Sequence, residues 1–176
     1  MKRSGKLPDP KKSQSRSVVV PLPDKNANKY FSYREAWGRI KRAQAYGYHL
    51  EAITLEESII ADRLISFLAS AGKIEGNSKI ERHSLAHLIQ RWFELVPEPI
   101  PSKYFPDLRV AADGWRQRRN KVVHGMVKSA PGASHDDVLN FLEEAASVAV
   151  QGDALARAIT DWGTRFKKQQ GKQTSL

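Results

Sequence analysis

The sequence predicts an all-α protein, a helical bundle of about five to six helices preceded by a basic extended arm. Three observations carry this expectation. Apolar residues recur at spacings of three and four over most of the chain. Stretches bearing proline and glycine separate those periodic segments. The one β-like run, residues 17–20, stops at Pro21, so no sheet is expected.

Residues 1–31 read as the arm. Pro8, Pro10, Pro21 and Pro23 oppose helix, and Lys, Ser and Asn dominate. Residues 32–168 form the helical domain, and 169–176 read as a disordered tail. In the first helix, Ser32 and Glu35 have capping-box spacing, and Trp37, Ile40 and Gln44 follow at helical intervals up to the Tyr46-Gly47-Tyr48 break. A second helix over 50–69 carries Leu50, Ile53, Ile60, Leu64, Phe67 and Leu68, and Gly72, Gly76 and Asn77 end it. A third begins near Ser84 with Leu85, Leu88, Ile89, Trp92 and Leu95. Four prolines make 96–106 a connector.

A fourth helix runs over 107–123 with Leu108, Ala111, Trp115 and Val122 on one side, and Gly125 closes it. Ser134 caps a fifth, with Asp136 and Asp137 in the first turn, where the helix dipole favours acids. Val138, Leu139, Leu142, Ala145, Ala146 and Ala149 form its stripe. Gly152-Asp153 reads as an interruption before a last helix over 154–168, with Leu155, Ile159, Trp162 and Phe166.

Composition narrows the function classes. The chain has no cysteine, which excludes disulfides, thiolate metal sites and a cysteine nucleophile, and suits a reducing intracellular setting. No apolar stretch is long enough to span a bilayer. The Met1-Lys2-Arg3 start is followed by a polar, proline-broken stretch rather than a signal-peptide core, which predicts a cytoplasmic protein without membrane contact. Net charge is +10, and it sits at the ends. Residues 1–17 hold six cations against one acid and 165–176 hold four against none, so the body is nearly neutral. Such termini bind polyanions without reading sequence, or simply keep a protein soluble.

Phosphate-loop, nucleophile-elbow and His-Glu-x-x-His patterns do not occur. His83 and His87 share a helix face, but two imidazoles without a nearby acid are expected in a surface or capping role, and no metal or cofactor is called for. Glu57 borders the apolar stripe of the second helix. An acid there is either partly exposed or needs a cationic partner, and an arginine is the obvious one.

One segment concentrates reactive groups. Residues 115–125 place Arg116, Arg118, Arg119, Asn120, Lys121 and His124 at a helix end. Guanidinium offers a planar fork for phosphate oxygens, imidazole exchanges protons near neutral pH, and an amide orients either. Metal-free cleavage of an RNA phosphodiester needs these groups: one to deprotonate the 2′-hydroxyl and one to hold charge on the phosphate.

Arg119-Asn120-x-x-x-His124 resembles the Arg-x(4–6)-His signature of HEPN domains (higher eukaryotes and prokaryotes nucleotide-binding), helical bundles that carry it near the end of a late helix. The resemblance covers roughly 32–166 at the level of fold and one short motif in detail. It implies a metal-independent endoribonuclease, a toxin or phage-defence effector leaving 2′,3′-cyclic phosphate and 5′-hydroxyl ends. Arg119, Asn120 and His124 would be catalytic, Arg116, Arg118 and Lys121 would contact RNA, and Glu57 would support them. Met126 stands where one toxin branch has Tyr, which points away from that branch. Residues five apart on a helix differ by about 140° in direction, so the motif predicts two copies facing each other in a homodimer. An antitoxin or sensor protein is a further expected partner. The alternative is a non-catalytic HEPN-like module that binds nucleotide, RNA or protein.

Overall fold

Two glycines in the left-handed region, Gly47 at φ 77° and Gly72 at φ 67°, set the ends of the first two helices. The computed structural model describes residues 25–72, 84–125 and 135–173, and these form five α-helices: α1 Lys25–Ala45, α2 His49–Ser70, α3 Leu85–Leu95, α4 Leu108–Gly125 and α5 His135–Gln173. No strand occurs among the described residues, so the fold is all-α. At the end of α1 the Tyr48 N–H donates to Ala43 O at 2.8 Å and the Gly47 N–H to Gln44 O at 3.3 Å, the paired bonds of a Schellman cap. Ser84 caps α3, its hydroxyl accepting from the His87 N–H at 3.3 Å.

The proline-rich connector is fastened by Asp107 and Arg109. Asp107 Oδ1 accepts from the N–H of Arg109 at 3.0 Å and of Ile100 at 3.3 Å. Arg109, buried to 4 % exposure, pairs with Asp107, donates to Val96 O and lies over the Phe93 ring. A buried guanidinium is tolerable here because a carboxylate and a carbonyl occupy its fork.

α2 and α5 form the spine, with α1 and α3 packed on α2, and α4 on α5 and α3. The core is drawn from Ile53, Ile60, Leu64 and Leu68 of α2, Leu88 and Trp92 of α3, Leu108 and Trp115 of α4, and Leu155 and Ile159 of α5. Trp92, Trp162, Phe67 and Phe166 make an aromatic cluster at the far end of the spine, with ring centroids 4.9–5.0 Å apart at the closest pairs.

Four expectations need correction. α1 begins at Lys25, so Ser32 is not a cap, and Glu35 accepts from Arg39 at 3.0 Å instead of closing a capping box. The early turns are held from outside: Lys29 Nζ meets Asp62 of α2 at 3.0 Å, and the Tyr33 hydroxyl donates to the same carboxylate. Gly152-Asp153 does not interrupt; α5 is one helix, and Gly152 is an interior residue whose missing side chain makes room for Glu56 and Trp115. Nor is the C-terminal stretch a tail from residue 169, since α5 continues to Gln173 in spite of Gly171. Finally, Val138, Leu139 and Leu142 are not core but 45–51 % exposed, while Ala145 and Ala149 are buried. The arm expected over 1–31 is helix from Lys25 onward, and its residues 1–24, like Gly76, Asn77, His83, Met126, Ser134 and 174–176, lie outside the described residues.

Candidate functional site

Trp115 and Val122 anchor the second half of α4, both buried on the side facing α5 and the core. The Trp115 indole N–H donates to Val148 O of α5 at 2.9 Å, which fixes the rotation of α4. That rotation directs Arg119 toward α2, where its guanidinium forms an ion pair with Glu57; each side chain keeps 22 % exposure. Arg119 Nη1 also donates to Asn120 Oδ1 at 2.6 Å, and its Nε is buried with no acceptor among the described residues. Burial lowers the Arg119 pKa, and the Glu57 carboxylate supplies the counter-charge. Glu57 is thus at once a partly exposed acid at the edge of the stripe and the partner of an arginine, the two alternatives for its position.

His124 stands apart from this cluster. It is exposed in the last turn of α4, where the dipole favours a cation. Asn120 and His124 are one turn apart and share a face, while Arg119 points elsewhere. One chain therefore brings Glu57, Arg119 and Asn120 together and leaves the imidazole on the adjoining surface.

The predicted backbone contacts divide. Arg118 is clasped by α5, donating to Glu144 at 3.0 Å and 3.2 Å, to Gln151 at 2.7 Å and to Ser147 at 2.9 Å. That clasp holds the Glu144 carboxyl below its usual range. Arg116 pairs with Asp113 at 2.8 Å. Lys121 is exposed and makes no ion pair among the described residues.

Next to the motif, the first turns of α5 carry the exposed apolar row Val138, Leu139 and Leu142. Phe141 links the two: its ring lies 3.9 Å from where a Cβ on Gly125 would stand.

Sequence reasoning missed Glu56, which is wholly buried. Gln44 Nε2 donates to its Oε1 at 3.1 Å and to Ala149 O at 3.1 Å, while Oε2 has no partner among the described residues. A methyl group on Gly152 would overlap Oε2 and stand 2.9 Å from Trp115 Cζ2. Burial first, and then the charge of Asp153, pushes the Glu56 carboxyl up to about 8. The signal was available, because Ile53, Glu56, Ile60 and Leu64 recur at spacings of three and four, which puts Glu56 in the middle of the stripe.

His87 is exposed, and no cluster of metal-ligating side chains occurs among the described residues. Among those residues, no helix is long and apolar enough to cross a membrane. No family model matches the chain, and neither a curated protein nor a solved structure matches it.

Proposed function

We propose that this chain is a metal-independent endoribonuclease of the HEPN type, working as a homodimer in the cytoplasm, as a toxin or phage-defence effector under the control of an antitoxin or sensor protein. What carries the reading is the Glu57–Arg119–Asn120 cluster one helical turn from an exposed His124. Glu57 positions the guanidinium that meets the phosphate. Asn120 bridges the two faces of the motif. Two opposed copies supply two imidazoles: a neutral one takes the proton of the 2′-hydroxyl as its oxygen attacks phosphorus. A protonated one gives a proton to the departing 5′-oxygen. The products are a 2′,3′-cyclic phosphate and a 5′-hydroxyl, with no external reagent consumed. The exposed row of α5 supports a second copy, since an isologous contact across Leu142 would cover apolar surface beside both motifs.

The test is cleavage of an end-labelled RNA in EDTA. Wild type cuts and leaves cyclic-phosphate ends, and His124→Ala loses about 100- to 10,000-fold in rate with an unchanged melting curve. A strict need for a divalent ion, or equal cutting by the variant, sinks the proposal. Leu142→Asp turns the dimer into a monomer by sedimentation and lowers cleavage with it.

A second reading has its own observation: Arg119 is already engaged by Glu57, which suits a non-catalytic HEPN-like module that binds RNA, nucleotide or protein. Wild type that binds RNA but never cuts it would select this reading.

A further inference from the structure

We propose that the face made by α1 from Lys29 to Trp37, the last turns of α2, α5 from Arg157 to Lys167 and the connector at Lys103-Tyr104 is a docking surface for single-stranded nucleic acid, separate from the α4 motif. The inference does not depend on whether that motif cleaves.

An open cleft of about 600 Å³ is lined by Lys29, Tyr30, Arg34, Trp37, Arg63 and Arg157. A second, of about 660 Å³, shares Arg157 and adds Lys103, Tyr104 and Arg165, with Asp161 as its one acid. A small hollow that shares Arg63 with the first cleft reaches Lys167. None of these clefts includes a residue of α4. The three together form a continuous basic track around α5. Its carboxylates do not cancel it. Asp62 is shared by Lys29 at 3.0 Å and Arg63 at 3.6 Å, and Asp153 takes Arg157 at 2.9 Å, with Asp161 acting on the same guanidinium, which leaves Arg34, Arg165 and Lys167 without an ion pair among the described residues. Lys167 instead donates to Ser66 Oγ at 2.8 Å, and burial, together with the charges of Lys29 and Arg63, lowers its pKa. Cations crowded to this degree gain when an anion arrives.

Charge alone would fit any polyanion; the aromatic rings choose among them. Arg63 lies over Tyr33 at 3.9 Å and Arg157 over Trp37 at 4.2 Å, while Lys103 stands 5.0 Å from the Tyr104 ring. Tyr30 and Tyr104 are 65 % and 64 % exposed, so ring surface is open at both ends of the track. Cations alternating with exposed rings are what an unpaired strand requires: phosphates meet the cations and splayed bases stack on the rings. A duplex keeps its bases stacked and gives the rings nothing to hold. Lys29 and Lys167 lie within electrostatic reach of each other, so α1 and α5 contribute to one field.

The experiment is fluorescence anisotropy of the full chain with labelled oligothymidylate of about 15 nucleotides, a length suited to such a surface. Oligothymidylate has no 2′-hydroxyl, so binding is read apart from the proposed cleavage. Lys29→Glu/Arg34→Glu/Lys167→Glu is expected to lower the slope of log affinity against log salt by about 2, at about 0.7 per phosphate contact on a single strand. Circular dichroism reports whether this triple variant folds. Arg34→Glu alone, at an exposed position, is expected to lower the slope by about 0.7. Tyr30→Ala is expected to weaken oligothymidylate on the order of tenfold and leave polyglutamate unchanged. An unchanged salt slope in the folded triple variant or in Arg34→Glu overturns the proposal. So does a Tyr30→Ala variant that binds oligothymidylate as wild type does.

Discussion

Glu56 and Glu57 are neighbours on α2, yet they enter opposite surroundings. Glu56 turns into the place where α1, α2, α4 and α5 meet, with Gln44 bonded to one oxygen and Gly152 against the other. No cation pairs with it among the described residues, and burial, then the charge of Asp153, pushes its carboxyl up to about 8. Glu57 turns by one residue toward α4 and finds the Arg119 guanidinium. A rotation of about 100° thus separates a carboxyl buried in the core from a carboxyl paired with a cation at its edge. Position relative to the packed interior, and not residue type, decides which glutamate meets a cation.

Between the two glutamates, the larger effect should come from the Glu57 side. Glu57→Ala releases Arg119, and cleavage of RNA by the proposed nuclease is expected to fall about 10- to 100-fold in kcat with KM little changed, since misplacing a charge-stabilising group costs rate rather than affinity. Full activity in that variant would reduce the ion pair to a structural clasp.

On the Glu56 side the sensitive position is Gly152. Gly152→Ala drives a methyl group into Glu56 and Trp115, and chemical denaturation should show a loss of about 1–3 kcal/mol. An unchanged midpoint would mean that the four-helix junction has slack.

The same substitution at the two neighbours gives the sharpest contrast. Between the ordinary carboxyl pKa of 4.5 and about 8, the folded chain keeps a proton on Glu56 that the unfolded chain gives up. Stability is therefore full at acid pH and is lost as pH rises through that window, by at most about 1.4 kcal/mol per pH unit. Glu56→Gln cannot ionise, so its stability should be flatter over the window and exceed that of wild type above pH 8. Glu57→Gln should instead destabilise at the same pH, by about 1 kcal/mol, because it weakens the contact with Arg119. Denaturation series at acid and alkaline pH separate the two; matching signs would erase the distinction.

Much of the fold was legible in the sequence because its signals are local. Gly47, Gly72 and Ser84 act through backbone conformation and a capping hydroxyl, and each ends or starts a helix where expected. What escaped depends on contacts made far along the chain. Gly152 reads as a breaker until Glu56 is seen to need its empty space. The Ser32-Glu35 spacing reads as a start until Lys29 and Tyr33 are seen to reach Asp62. Val138, Leu139 and Leu142 keep core periodicity, but no other described helix covers them. At the candidate site, one helix alone put Glu57 at the edge of the apolar stripe, either partly exposed or paired with a cation, and it is both. The capture of Arg118 by Glu144 and Gln151 could not, since it depends on how α4 lies against α5.

Because α5 is unbroken, it also acts as a ruler. Phe141 touches the end of α4 and Lys167 reaches α2, and at about 1.5 Å per residue the stretch between them spans roughly 39 Å. A strand gripped near Lys167 would present to His124 only a linkage lying that far along its length. Short oligonucleotides would then be engaged at one end of the rod or the other, never at both.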